Sequence, residues 1–406
     1  MDFEEIAYSK EVEEFRQEVR AWLEENIPSD FMVPVNRYFM TEDQMKFTRQ
    51  FKCKVGEKGW LAPFWPKEYG GGGLPDDQCL VIQEEFSDWQ GGRRMPTVHD
   101  QGHARGAAIV MMYGTEEQKL RFAKPVFEGK ISWWQLWTES DAGSDLANVQ
   151  TTAYWDGDAY VMNGHKIFMS GTGCPDLFLV LAKTDPERPR HQNLGAFVIP
   201  PDLPGITIKY MDLIVAIGRR EIFLDNVRVP PEYLIGPEFE GWRVTQSALE
   251  MEHGGAGLRP PRSRLQELIV DYCKETMRDG QPVIKDSYVR DRLVEAYIHS
   301  EIARLFRQRN SWAARTGVRL SHEGSQSSLH GKVGRPLLAK VIMDIAGPYA
   351  YVTDPKWGIA EMEAENQQRQ SIDTHSAATI EIQKVIMARR MGISKTKEEA
   401  AAIRIR

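Results

Sequence analysis

The sequence predicts a mainly α-helical protein with a β domain at its centre, and three stretches of the chain indicate this order. Over residues 8–129 apolar side chains recur at helical spacing. Over residues 131–230 the pattern changes to short alternating runs separated by Pro and Gly. From Gly241 onward the helical period returns. We therefore expect an N-terminal helical domain (1–130), a small β-barrel or sandwich-like domain (131–240) and a C-terminal four-helix bundle (241–406).

The N-terminal helices have clear start and stop signals. Residues 8–27 place apolar side chains on one face among Glu and Arg, and Pro28 ends the run. Thr41 is expected to cap the second helix, with Gly59 at its end. Thr115, followed by two acidic residues, is expected to cap a later one.

In the central region, Asp156-Gly157 lies between two alternating runs and predicts a two-residue hairpin turn. Beyond it, short apolar runs such as FLVLAKT and GAFVIP indicate further strands. The C-terminal helices are expected over Trp242–Glu252, Arg264–Met277, Tyr288–Thr316, Ser328–Ile345 and Ala377–Met391.

Composition excludes several classes. The net charge of −7 over 406 residues favours neither nucleic acid nor an anionic membrane, and no run is long enough to span a bilayer. The four cysteines are widely spaced, so we expect neither a zinc site, nor any other metal site, nor a disulfide framework. The acidic N-terminus does not resemble a secretory or transit peptide, and we expect a cytoplasmic protein.

The stretch over residues 133–147, WWQLWTESDAGSDLA, combines aromatic side chains with many groups that can bind a polar ligand. Its tryptophans provide an apolar aromatic face, and its Ala-Gly-Ser-Asp turn suits an anion, because Gly143 lets backbone approach and Ser144 can donate. A ligand with a flat ring and a phosphate would fit both ends. A buried strand running into an ordinary Asx or Ser turn explains the same residues.

Several motifs in a fixed order then resemble the acyl-CoA dehydrogenase superfamily. They are GWLAPFWPKEYGG, YGTEEQKLRF, WTESDAGSDLA, MNGHKIFMSG, LDNVRVPPEYLIG and IEIQKVIMARR. The resemblance implies FAD held between the β domain and the C-terminal bundle, with a CoA thioester against the flavin. The implied reaction is α,β-dehydrogenation of an acyl-CoA to the 2-enoyl-CoA, with hydride passing to flavin N5 and electrons then to electron-transfer flavoprotein.

The resemblance also assigns flavin contacts. The backbone of Leu136, Trp137 and Thr138, with the Thr138 hydroxyl, is expected at the pyrimidine edge of the ring, where donors stabilise reduced flavin. Gly143 and Ser144 are expected beside the pyrophosphate or the CoA arm.

Four further contacts follow from two other motifs. Phe168 stands where the family has a tryptophan against the ring, although β-core packing would also explain an aromatic there. Ser170 stands where the family has a threonine near N5. Thr379, directly before the last motif, and Glu381, within it, are also expected to contact FAD.

The α-proton must be taken by a carboxylate, and the family places it in one of two positions. At the commoner position this chain has Ala377, which cannot act as a base. At the other, at the start of the bundle, Glu252 matches the catalytic glutamate. We therefore expect Glu252 to be the base, the alternative being a structural or vestigial Glu.

The sequence departs from the family pattern at two places, both on the surface that in the family contacts the FAD of a neighbouring subunit. In ETMRDGQPV, Thr276 and Asp279 replace an Arg and a Phe, while Arg278 offers a charge from a different position. In AGPYA only Gly347 remains of a glycine-rich turn. Such departures resemble subunits of heterotetrameric members, in which an unlike chain completes the site. Both a homotetramer and a heterotetramer remain open.

Three other functions fit the same fold: an acyl-CoA oxidase, a flavin monooxygenase, and a non-catalytic partner subunit. The base position matched by Glu252 occurs with branched, long and ring-bearing acyl groups. This indicates fatty acid or steroid side-chain catabolism rather than short linear substrates.

Overall fold

The structure is a computed structural model that describes residues 8–33, 40–91, 94–96, 98, 106–171, 173–213, 218–253, 264–316, 318, 320–351 and 378–396. Its longer helices are α1 (Lys10–Asn26), α2 (Glu42–Glu57), α3 (Asp76–Gly91), α4 (Ala107–Tyr113), α5 (Glu116–Gln118), α6 (Lys124–Phe127), α7 (Gly241–His253), α8 (Arg264–Glu275), α9 (Ser287–Thr316), α10 (Glu323–Ala346) and α11 (Ile380–Arg390). A π-helical turn, Lys119–Ala123, joins α5 to α6.

The strands are β1 (Trp133–Leu136), β2 (Thr152–Trp155), β3 (Tyr160–Ser170), β4 (Leu177–Lys183), β5 (Leu194–Ile199), β6 (Ile206–Tyr210), β7 (Arg219–Val229), β8 (Leu234–Ile235), β9 (Met277–Arg278) and β10 (Gln281–Pro282). The chain forms helices, then a β domain, then helices again, which is the order that the sequence predicts. The fold class is therefore confirmed.

The described residues form two compact units. One comprises those within Met1–Phe39, Leu80–Pro96 and His253–Ala400, and the other those within Met40–Cys79 and Thr97–Glu252. None of the described helices is both long and apolar enough to cross a membrane.

In the first unit, α1 is joined to α3 by buried charges. Arg16 lies 2.8 Å from Glu84 and 2.9 Å from Glu85, and all three side chains are nearly buried. Helices α8 to α10 pack around a separate core of Ile269, Cys273, Val283, Val289, Ala296, Val341, Ile342 and Ile345. This unit thus brings the first helix and the C-terminal helices into one body.

Helix α8 ends at Glu275, earlier than Met277 where the sequence predicts its end. Met277–Arg278 instead pair with Gln281–Pro282 in a short hairpin. The two residues between them, Asp279 and Gly280, have φ of 52° and 78°. Two consecutive positive φ values suit a two-residue hairpin turn and cannot continue a helix.

The second unit contains the β domain, an eight-stranded sheet of order β6-β7-β3-β2-β4-β5-β8, with β1 pairing parallel to β4. Strands β3 and β5 are three positions apart, about 14 Å along a flat sheet. Yet the rings of Tyr160 and Phe197 on these strands contact at 5.1 Å between centroids. The sheet is therefore strongly curved, as expected of a barrel or sandwich-like domain.

The sheet separates two cores. One face packs against α4, α6 and α7 through residues that include Trp133, Trp137 and Val244. The other encloses a core of strand residues that includes Leu136 and Phe178. Alternate residues of β1 thus belong to opposite cores.

Two turn predictions need comment. Thr41 caps α2 in a complete capping box with Gln44, as predicted, but the helix ends two residues before Gly59. The predicted hairpin after β2 forms, but Asp156 N–H donates to the Ala159 carbonyl, which makes Gly157 and Asp158 the central residues. The turn shifts by one residue because the Asp156 carboxylate accepts the N–H groups of residues 158 and 159.

Candidate functional site

The strand β1 and the strand β3 carry the two predicted flavin-contacting stretches, and one hydrogen bond joins them. The Ile167 N–H donates to the Thr138 carbonyl at 2.9 Å. Residues 136–138 therefore lie beside residues 168–170. Leu136 and Trp137 are 0% and 5% exposed as whole residues, so Thr138 is the most accessible of the three. Thr138 is half-buried, with its hydroxyl on the same stretch.

Phe168 has an unusual backbone and an exposed ring. It lies at an irregularity of the β3–β7 ladder between Lys166 and Met169, with φ of 59°. An aromatic residue in the left-handed region is strained by about 1–3 kcal/mol, and such strain is concentrated at functional positions. Phe168 is 47% exposed as a residue, so β-core packing does not explain this aromatic.

The surrounding contacts hold Phe168 in this conformation. Its N–H donates to the Met211 sulfur at 3.4 Å, and Arg219 donates to its carbonyl at 3.3 Å. Ser170 ends the strand two residues later and is half-buried. A ring and a hydroxyl are thus presented at the same end of β3.

The Asp141–Asp145 turn is fixed at both ends and open at its centre. Asn148 donates to the Asp141 carbonyl at 3.0 Å, and Asp145 forms an ion pair with Arg190. A Cβ added to Gly143 would meet nothing within 4 Å, and Ser144 is exposed. The turn therefore leaves room for a ligand at Gly143-Ser144.

A buried ion pair beneath these stretches is the part of the site that sequence reasoning missed. The Lys166 ammonium lies 2.7 Å from a Glu139 carboxylate oxygen, with side-chain exposures of 0% and 6%. It also donates to the carbonyls of Leu181, at 2.7 Å, and Trp137, at 3.4 Å. One signal was present in the sequence. Lys166 lies four residues after Met162 in β3, on the same inward-facing side of the strand, and a lysine buried there requires an acceptor.

Glu139 is equally well satisfied. It accepts from Thr151 N–H at 3.0 Å, from the Thr151 hydroxyl at 2.5 Å, and from the Gln150 N–H. Burial alone would raise the pKa of Glu139, but the charge of Lys166 and these donors bring that pKa below its ordinary value. Burial lowers the pKa of Lys166 to about 8, against the opposing effect of Glu139. Both groups are therefore charged at neutral pH.

The other predicted residues lie elsewhere. Thr379 is the N-cap of α11, its hydroxyl accepting from Ile382 N–H at 3.2 Å, and it belongs to the first unit. Glu381 is exposed in the first turn of that helix, where its own backbone N–H and Thr379 lower its pKa. Glu252 lies in α7, near its end, but its side chain is outside the described residues, as is Ala377.

Comparison with known proteins matches each part of the chain. Three family models cover it in order: the acyl-CoA dehydrogenase N-terminal domain over residues 9–130, the middle domain over 135–227 and the C-terminal domain over 240–392. Residues 136–138 and 168–170 fall within the middle domain.

Curated and solved relatives agree. Acyl-CoA dehydrogenase IpdE1 of Mycolicibacterium smegmatis is 30% identical over 306 residues, 71% of this chain and 75% of that protein. The solved structure described as the Tcur3481-Tcur3483 steroid ACAD is 26% identical, with a TM-score of 0.78 over 98% of this chain and 100% of that one.

The fold is also that of the ChsE4-ChsE5 complex of Mycobacterium tuberculosis, with a TM-score of 0.81, 23% identity, and coverage of 97% of this chain and 100% of that one. The three domain matches and the IpdE1 likeness together show that the chain belongs to the acyl-CoA dehydrogenase family, a family of oxidoreductases acting on acyl-CoA.

Proposed function

We propose that this protein catalyses the FAD-dependent α,β-dehydrogenation of an acyl-CoA thioester to the 2-enoyl-CoA. The observation that carries the proposal is the pairing of Thr138 with Ile167, which sets the backbone of residues 136–138 beside the exposed ring of Phe168. An aromatic ring, backbone groups and hydroxyls on one edge of a sheet suit a flat, polar heterocycle.

The residues present fit FAD. Phe168 offers a face for the isoalloxazine, and Thr138 and Ser170 offer hydroxyl donors at one end of β3. The open side of Gly143 and the exposed Ser144 suit the pyrophosphate or the CoA arm. Bound FAD would supply the hydride acceptor for the reaction.

In this proposal Glu252 takes the α-proton. It follows Val244 and Ala248 along α7 at intervals of four residues, and both of these are buried against the core that also contains Trp137. The carboxylate must be charged at rest and must have a pKa raised enough to hold the proton after transfer. The usual base position is filled by Ala377, so Glu252 is the carboxylate that the family pattern provides.

The substrate that we propose carries a large, ring-bearing acyl group, such as a steroid side chain. The name of the solved steroid relative supports this class, and that protein is 26% identical over almost the whole chain. We propose electron-transfer flavoprotein, rather than oxygen, as the electron acceptor.

The test is anaerobic reduction of the purified flavoprotein by a panel of acyl-CoA esters with linear, branched and steroid-derived chains. We expect the oxidised flavin absorbance to be lost with ring-bearing esters, and the reduced enzyme to pass electrons to electron-transfer flavoprotein faster than to oxygen. Reduction by none of the esters would refute the proposal. Fast reaction of the reduced enzyme with oxygen would instead favour an oxidase or monooxygenase.

We also propose that an unlike, related chain completes the adenine end of the FAD site. In the described hairpin Arg278 donates to the Ile345 carbonyl at 3.0 Å, at the end of α10, so its charge stabilises this helix end. Arg278 is therefore engaged within its own chain and does not replace the arginine with which family members contact the FAD of a neighbouring subunit. The ChsE4-ChsE5 relative is described as a complex of two chains.

Expression alone and together with a related acyl-CoA dehydrogenase chain tests this assembly. We expect less than one FAD per chain alone and full occupancy in the mixed complex. A stable homotetramer carrying one FAD per chain would contradict it.

A further inference from the structure

The Trp137–Thr138 peptide is held from one end by a buried cation. The Lys166 ammonium lies 3.4 Å from the Trp137 carbonyl oxygen and is itself fixed by Glu139 and by the Leu181 carbonyl, each at 2.7 Å. Lys166 is 0% exposed, so water does not screen this charge. The Trp137 carbonyl therefore lies beside an ammonium that is fixed in place, although the nearby Glu139 carboxylate offsets part of its charge.

The same peptide unit has a second polar end. In a planar trans peptide the carbonyl of Trp137 and the N–H of Thr138 point in opposite directions. A cation on the carbonyl side fixes the orientation of the N–H and makes it a stronger donor, because hydrogen bonds in series polarise one another. The next peptide is fixed as well, since the Thr138 carbonyl accepts from Ile167.

We propose that Lys166 is a positioning residue for the flavin, acting through the Trp137 carbonyl to orient and polarise the Thr138 N–H toward the cofactor. Glu139 holds the ammonium in place and neutralises it within the protein. A stronger donor at this edge favours reduced, negatively charged flavin over oxidised flavin. The inference rests on the proposed binding of FAD along residues 136–138.

The experiment compares the reduction potential of bound FAD in three variants with that of the wild-type flavoprotein. Lys166→Met removes the cation but leaves the Glu139 carboxylate buried without it. This lowers the free energy of unfolding and can prevent folding. Lys166→Met/Glu139→Gln removes both charges and keeps the volume close to the original. Thr151→Val is the matched control, since it removes the 2.5 Å hydroxyl bond to Glu139 and leaves Lys166 and its contact with Trp137.

We expect the double variant to bind reduced FAD about tenfold more weakly, relative to oxidised FAD, than the wild type does. For a two-electron couple this lowers the potential by about 30 mV. Thr151→Val should lower the melting temperature and leave the potential unchanged.

Each outcome has a distinct meaning. A folded double variant with the wild-type potential and flavin spectrum overturns the role of Lys166 while the proposed function stands. An equal shift of the reduction potential in Thr151→Val also overturns the role of Lys166, because the shift would then result from a general loss of stability. A wild-type chain that binds no flavin, alone or in a mixed complex, overturns the proposed function and this inference together.

Discussion

The N–H of Ile167 donates to the carbonyl of Thr138 at 2.9 Å, and Ile167 and Phe168 together form the irregularity in the pairing of β3 with β7. The bond fixes the end of β1 against β3, and the irregularity turns Phe168 outward with φ of 59°. A rigid backbone edge and an exposed ring are thus produced by the same strand pair.

Phe168→Gly should give a cofactor-free protein that is more stable than Phe168→Ala by about 1 kcal/mol, because alanine retains the penalty of positive φ. Both variants should lose flavin, since neither carries a ring, whereas Phe168→Trp should keep it. Urea denaturation and flavin content are the measurements. The control is exposed Trp155 in β2, where φ is not positive and the Gly variant should be the less stable one.

Glu252→Gln should keep its FAD and its melting temperature but lose reduction by substrate. An amide cannot take the α-proton, and loss of a general base slows such a step by about a hundredfold or more. Stopped-flow absorbance of the flavin measures the rate. Bleaching at a rate comparable to wild type would remove Glu252 from the mechanism.

Arg16→Met should lower the free energy of unfolding by about 3 kcal/mol, because it leaves two buried carboxylates without this partner. Glu84 and Glu85 are 7% and 2% exposed. The matched control is Lys10→Met in α1, whose pairing with Glu14 is solvent-exposed and should be worth under about 0.5 kcal/mol. Equal effects of the two substitutions would contradict the assigned burial.

The Lys166 ammonium should make stability depend on pH on the alkaline side. Its pKa is about 8 in the folded protein and near 10.5 in an unfolded chain. Between these values the unfolded chain binds more protons, so the free energy of unfolding should rise with pH through this window. In Lys166→Met/Glu139→Gln this rise should be absent when unfolding is measured from pH 7 to pH 10.5. Parallel profiles for the two proteins would show that Lys166 does not titrate there.

The sequence predicts the elements with local signals. The apolar period predicts the helices, and Thr41 and Thr115 cap the helices for which they are predicted. Helix α10 begins at Glu323, five residues before the predicted Ser328, because its first turn has only glycine and polar side chains and so leaves no apolar period to detect, although Gly324 and Ser325 are buried. Exact helix bounds are therefore set by contacts that periodicity does not encode.

The flavin contacts expected from motif resemblance stay predictions, whereas the buried ion pair depends on pairing across strands and was not predicted. Glu139 and Lys166 are 27 residues apart, and their contact exists only because β1, β3 and β4 are neighbours in the folded domain. Likewise the left-handed conformation of Phe168 arises from a mismatch in the β3–β7 register. The inward-facing position of Lys166 can be read from β3 alone, but its partner Glu139 and the register mismatch at Phe168 cannot be read from one short stretch of sequence.

The burial of Leu136 and Trp137 in opposite cores has a consequence for how this protein can diverge. A ligand held by the backbone of these residues is insensitive to which apolar side chains they carry, provided that each core stays filled. In the proposed cofactor site, substitutions that alter the contacts are then confined to exposed or half-buried positions such as Ser144, Phe168 and Ser170.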